Sequence, residues 1–136
     1  MSLAEAISPL IGRWALAWFF LTEAWSRANN WYGNVDLLST AHVPVPQGML
    51  FLALIVMTLG SLALLLGWHV RHGAMLLFGF TVAATLVFHD FWHLHDATLR
   101  ADDFQIFARN VAIGGGLLLL VGMGGGPLAF DNRGGR

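Results

Sequence analysis

Four apolar runs separated by short polar breaks decide what this chain can fold into. The run from Gln47 to Trp68 carries no charged residue and is long enough to cross about 30 Å of hydrocarbon. Comparable runs cover about 7–25, 74–92 and 104–123. A soluble domain of this size keeps about 25% charged residues; this chain has 11%, with 57% hydrophobic residues. The expected fold is therefore all-α: a polytopic membrane protein, a four-transmembrane-helix bundle forming a single domain over 1–136. The segment from Asn29 to Pro46 reads as a loop, with Trp31 and Tyr32 suited to the headgroup layer. No basic residue precedes the first run, and Glu5 stands where a signal peptide would be positive, so that run is expected to be retained.

Several function classes drop out. A net charge of −1 offers no basic field for nucleic acid. Cysteine is absent, which removes disulfides, thiolate metal sites and any thiol-bound intermediate on this chain. No phosphate-cradling loop or nucleophile elbow is present.

The densest chemistry lies at Phe88-His89-Asp90-Phe91-Trp92-His93-Leu94-His95-Asp96, at the end of the third run. Ionisable groups there are costly unless paired or wet. Continued as a helix, this stretch puts His89, Trp92 and His93 on one face. Helix topology brings the end of the third run level with the end of the first and the start of the second and fourth. Glu23, Arg27, His89, Asp90, Arg109 and Asn110 are thereby expected at one depth, with Arg13 the outlier at the opposite face. Glu23 and Arg27, four apart, can pair.

Three readings fit this layer. It can hold a quinone, whose carbonyls accept hydrogen bonds from His89, Trp92, Arg109 or Asn110, with Glu23 or Asp90 tuning the histidine. It can equally be a structural ion-pair network in a non-catalytic scaffold that recruits a partner. The third reading is a metal site on His89 and His93, which have chelating spacing for zinc or copper; a wet helix end accounts for the same residues. Neither metal nor haem is expected.

The residues also carry a family resemblance. Gly12-Arg13 opens the first run. Leu66-Gly67-Trp68, Arg71 and Gly73-Ala74 form the second turn. Phe88-His89-Asp90-Phe91-Trp92 ends the third run, and Phe107-Ala108-Arg109-Asn110 with a late Asp131 marks the fourth. In these places the chain resembles the DoxX family of small four-helix membrane proteins. Glu23 and Arg27 stand where that family usually has glycine and lysine, and Arg109 where it usually has lysine. Arginine keeps the charge but cannot serve as a proton-transfer base.

The resemblance implies a multi-pass protein of the bacterial cytoplasmic (inner) membrane. Relatives include the membrane subunit of a thiosulfate:quinone oxidoreductase and partners of redox enzymes in oxidative-stress complexes. Its candidate residues here are His89, Trp92, Arg109 and Asn110. The sequence expectation is a membrane subunit that binds quinone or a similar redox lipid at the outer end of the bundle. His89, Glu23 and Arg109 would do the chemistry, beside a redox partner protein or within a homo-oligomer. Both termini are expected in the cytoplasm from the arginine distribution.

Overall fold

The computed structural model describes residues 2–88 and 97–132. Among them are five α-helices: α1 (Leu3–Asn29), α2 (Trp31–Thr40), α3 (Pro46–Leu66), α4 (Val70–Phe88) and α5 (Ala97–Met123), followed by a 3-10 turn at Phe130–Asn132. The four long helices match the expected runs as far as they are described, residues 89–92 of the third run lying outside the described residues; the fifth, α2, occupies the segment read from sequence as a loop. Among the described residues three helices are long and apolar enough to cross a membrane, over Pro46–Leu66, Val70–Val87 and Arg100–Met123. α1 is the most polar of the long four, with Arg13 and Glu23 inside its apolar run, but it lies antiparallel along α3. Arg13 and Trp14 meet the α3 C-terminus, while Glu23 and Arg27 share a cavity with Met49 and Leu50 of the α3 N-terminus.

Helix ends differ from the expected ones for local reasons. α1 starts before residue 7 because Ser2 and Glu5 form a capping box: the Ser2 hydroxyl accepts from the Glu5 amide and the Glu5 carboxylate accepts from the Ser2 amide, satisfying two otherwise orphaned donors. α3 starts at Pro46, whose missing N–H costs nothing at a first helical position, and ends before Trp68 at left-handed Gly67 (φ 72°). Its last amides close back on Ala63, with Gly67 N and Trp68 N both donating to that carbonyl. α4 begins at Val70, earlier than 74, because the Asp131 carboxylate caps it, accepting from the amides of His69 (2.7 Å) and Val70 (2.9 Å). α5 starts at Ala97 rather than 104, so its charged first turns extend the apolar span as a polar helical end.

α3 is central, with α1 on one flank and α4 on the other, and α5 packs on α4. The core joins Ala17, Phe20 and Ala24 to Met57, Leu64, Ala74, Leu77, Leu117 and Leu120. α3 and α4 approach so closely that a Cβ on Gly73 would lie 2.6 Å from the Ala63 methyl and 3.2 Å from the Gly60 carbonyl. Small residues serve this purpose where lipid supplies no hydrophobic drive between helices. α1 and α5 touch only slightly, so the bundle is loosest along that seam.

Candidate functional site

A cavity of about 800 Å³ opens between α1, α2, α3, α4 and the first half of α5. Its walls are mostly apolar, with Phe20, Leu50, Met57, Leu76 and Phe80 among them. Polar side chains enter from four helices: Glu23 and Arg27 from α1, Asn34 from α2, Thr81 from α4, and Arg109 and Asn110 from α5. An apolar chamber with a few convergent polar groups is the usual form of a small-ligand site.

Glu23 and Arg27 face each other along α1, one turn apart. Arg27 Nη1 donates to the Glu23 carboxylate at 2.5 Å and to the Glu23 backbone carbonyl at 3.2 Å. Both side chains are about one-third exposed (31% and 32%), where such a pair contributes little stability. It does neutralise the local charge. Because both partners belong to one helix, the pair does not tie two helices together.

Arg109 places its guanidinium 5.3 Å from the centre of the Phe19 ring, a cation–π contact bridging α5 and α1 across the loose seam. Asn34 donates to the Asn30 carbonyl at 2.7 Å and to the Arg27 carbonyl at 3.5 Å, which fastens the first turn of α2 to the end of α1. Asn110 donates to the Thr85 hydroxyl at 3.0 Å. Thr85 in turn donates to the Thr81 carbonyl at 2.6 Å, and Thr81 to the Leu77 carbonyl at 2.8 Å.

Glu23, Arg27, Arg109 and Asn110 thus line one chamber. His89, Asp90, Trp92 and His93 lie outside the described residues, directly beyond the described end of α4. Among the described residues no group of three or more His, Asp or Glu side chains converges on a point. Asn34, Thr81 and Thr85 were not apparent from sequence. Asn34 sits in a stretch rich in turn-forming residues, and the threonines were hidden inside an apolar run. Their spacing of four, with Leu77 four before, was the available signal, since a buried helical threonine returns its hydroxyl to the carbonyl one turn back.

At the other end of the bundle Arg13, expected as an outlier, is fully buried. Its Nη1 donates to the Leu64 carbonyl at 2.7 Å and its Nη2 to the Leu128 carbonyl at 3.2 Å. Trp14 Nε1 donates to the Leu65 carbonyl at 3.1 Å, so this tryptophan, although exposed like Trp18 and Trp25, caps the end of α3. The Asp131 amide donates to the Gly67 carbonyl at 2.9 Å. Together with the Ala63 closure, these bonds satisfy three of the last four α3 carbonyls, which have no partner within the helix. Arg13, Gly67 and Asp131 form a structural clasp, remote from the chamber.

Comparison with known proteins identifies the family. The DoxX family model matches residues 8–90. The chain is 24% identical over 130 residues to the inner membrane protein YphA of Escherichia coli K12, covering 96% of this chain and 92% of that one. It is 28% identical over 131 residues to the inner membrane protein YqjF of the same organism, covering 96% and 95%. No solved structure matches it. On the family match and the helical architecture, the chain is an integral membrane protein that belongs to the DoxX family.

Proposed function

We propose that the chamber binds a quinone or a similar redox lipid, and that the protein works as the membrane subunit of a redox system beside a partner protein. The observation that carries this reading is the shape and lining of the cavity: about 800 Å³, mostly apolar, with Glu23, Arg27, Asn34, Arg109 and Asn110 gathered in it. The apolar volume suits an isoprenoid or alkyl tail, and the polar groups suit a ring that exchanges hydrogen bonds. The Glu23–Arg27 pair cancels its own charge, which leaves the Arg109 guanidinium as the charged donor for an oxygen of the head group. His89 and Trp92 join the head-group set from sequence alone. With cysteine absent and no dinucleotide fingerprint, the electrons for such a lipid come from a partner chain.

The setting follows from the relatives, both inner membrane proteins. Arg13 is buried in the clasp and Arg27 and Arg109 line the cavity. The described arginines left to orient the chain are Arg71, at the end bearing the termini, and Arg100 at the other; the sequence adds Arg133 and Arg136 after the last described residue. That balance supports the reading in which both termini are cytoplasmic and the cavity lies near the outer leaflet.

Titration of the purified protein in lipid nanodiscs with a short-tailed quinone tests the reading. Saturable binding is expected, weakened roughly tenfold by Arg109→Ala, the size of one lost polar contact to a charged donor. Binding that is absent, or indifferent to Arg109→Ala and to His89→Ala, would overturn it.

A further inference from the structure

The chain of hydrogen bonds behind the cavity wall fixes which way the Asn110 amide points. Thr85 has one hydroxyl hydrogen, and the Thr81 carbonyl 2.6 Å away can only accept. That hydrogen therefore lies between Thr85 and Thr81. Toward Asn110, 3.0 Å away, the Thr85 oxygen can only accept, so the atom of Asn110 facing it must be the NH₂ group. Thr81 repeats the arrangement one turn earlier by donating to Leu77, so the whole ladder runs in one direction. Both threonines are buried, and each gives its one hydroxyl hydrogen to the carbonyl one turn back.

This orientation matters because of where the partners sit. Thr81, Ala84 and Val87 of α4 line the cavity and Thr85 does not, whereas Asn110 does. The amide nitrogen is thus directed behind the wall, and Oδ1 is the end of the amide left to the chamber. Arg109, the preceding residue, brings a guanidinium donor to the same chamber. The α5 part of the site therefore presents an acceptor beside a donor.

We propose that the cavity selects a head group carrying a hydroxyl, the hydroquinone form of the redox lipid, with Asn110 Oδ1 accepting its O–H. The inference rests on the redox-lipid reading above and adds the preferred ligand form. A hydroquinone oxygen both donates and accepts, which matches Asn110 beside Arg109. A quinone carbonyl can only accept, and it leaves Oδ1 without a partner. Thr85 is on this account a positioning residue: it never touches the ligand but holds the amide the right way round.

Anaerobic calorimetry on the full chain in nanodiscs tests the proposal with three probes of equal tail length: a decyl hydroquinone, the corresponding quinone, and the hydroquinone capped as its dimethyl ether. The hydroquinone is expected to bind roughly tenfold more tightly than either of the others, the size of one hydrogen bond. Thr85→Val removes the acceptor that pins the amide and should bring the ratio toward one, while Thr85→Ser, which keeps the hydroxyl, should preserve it. Quinone or ether binding as tight as hydroquinone would overturn the preference and leave the redox-lipid reading intact. An unchanged ratio in a folded Thr85→Val protein would remove the role of the ladder. Failure of all three probes to bind would overturn both the preference and the reading beneath it.

Discussion

Arg13 donates from Nη1 to the Leu64 carbonyl across 2.7 Å in a site closed to solvent, so a side chain of α1 completes the last turn of α3. Replacing Arg13 with leucine removes both donors and strands the buried Leu64 carbonyl, while the part-buried Leu128 carbonyl loses its partner. Each unsatisfied buried carbonyl costs about 1–3 kcal/mol. Arg13→Leu is expected to lower the thermal midpoint in detergent markedly. In whatever fraction stays folded, ligand affinity should be unchanged, because the clasp and the chamber lie at opposite ends of the bundle. A midpoint equal to that of the native protein would contradict this role.

Asp131 caps α4 through both carboxylate oxygens, and its own amide holds the Gly67 carbonyl. Asp131→Ala should cost about 0.5–2 kcal/mol, the usual effect of losing an N-terminal cap. Hydrogen exchange checks the location: the first turn of α4 should lose protection while the middle of α3 keeps it.

Gly67 and Gly79 give a paired test of backbone against space. Gly67 is left-handed, and a Cβ there would lie 2.7 Å from Ala129 Cα and 2.7 Å from Arg13 Nη1. Gly67→Ala should destabilise by about 1–2 kcal/mol from the backbone alone, with the clash in addition. Gly79 is helical, and a Cβ there meets nothing within 4 Å. Gly79→Ala should be neutral or stabilising. Thermal melts of both variants decide the matter.

The Arg109 guanidinium rests on the Phe19 ring across the α1–α5 seam. Phe19→Leu keeps an apolar side chain and removes the ring face. Stability should fall by no more than about 1 kcal/mol, typical of a partly exposed cation–π contact, while ligand affinity drops because Arg109 is no longer held over the seam. A large stability loss with unaltered affinity would make the contact structural.

Much of this architecture was legible because lipid forces it: a run of apolar residues long enough to span has little choice but to be a helix. That logic also put Glu23, Arg27, Arg109 and Asn110 at one level, since alternating helix directions fix which ends meet. It failed where the cause is tertiary. α2 reads as a loop because Asn30, Gly33 and Asn34 favour turns; it stands as a helix packed on α3. None of its residues is fully buried, so it carried no strong apolar stripe to find. Arg13 looked like a stray charge because its acceptors, Leu64 and Leu128, are backbone carbonyls far along the chain, and sequence has no mark for a carbonyl in need of a donor. The capping box of Ser2 and Glu5 and the threonine ladder were visible as spacings, but short spacings of this kind recur too often to be chosen without coordinates.

The most direct test of the cavity as a redox-lipid site is to ask what it holds when it leaves the membrane. The protein should be extracted gently beside a variant with the chamber blocked by Ala53→Trp, a substitution in its wall, and the copurifying lipids measured by mass spectrometry. The account predicts a prenylated quinone or hydroquinone at near one per native chain, and its depletion from the folded Ala53→Trp protein. Phospholipid alone in both, or the quinone retained equally by both, would contradict it.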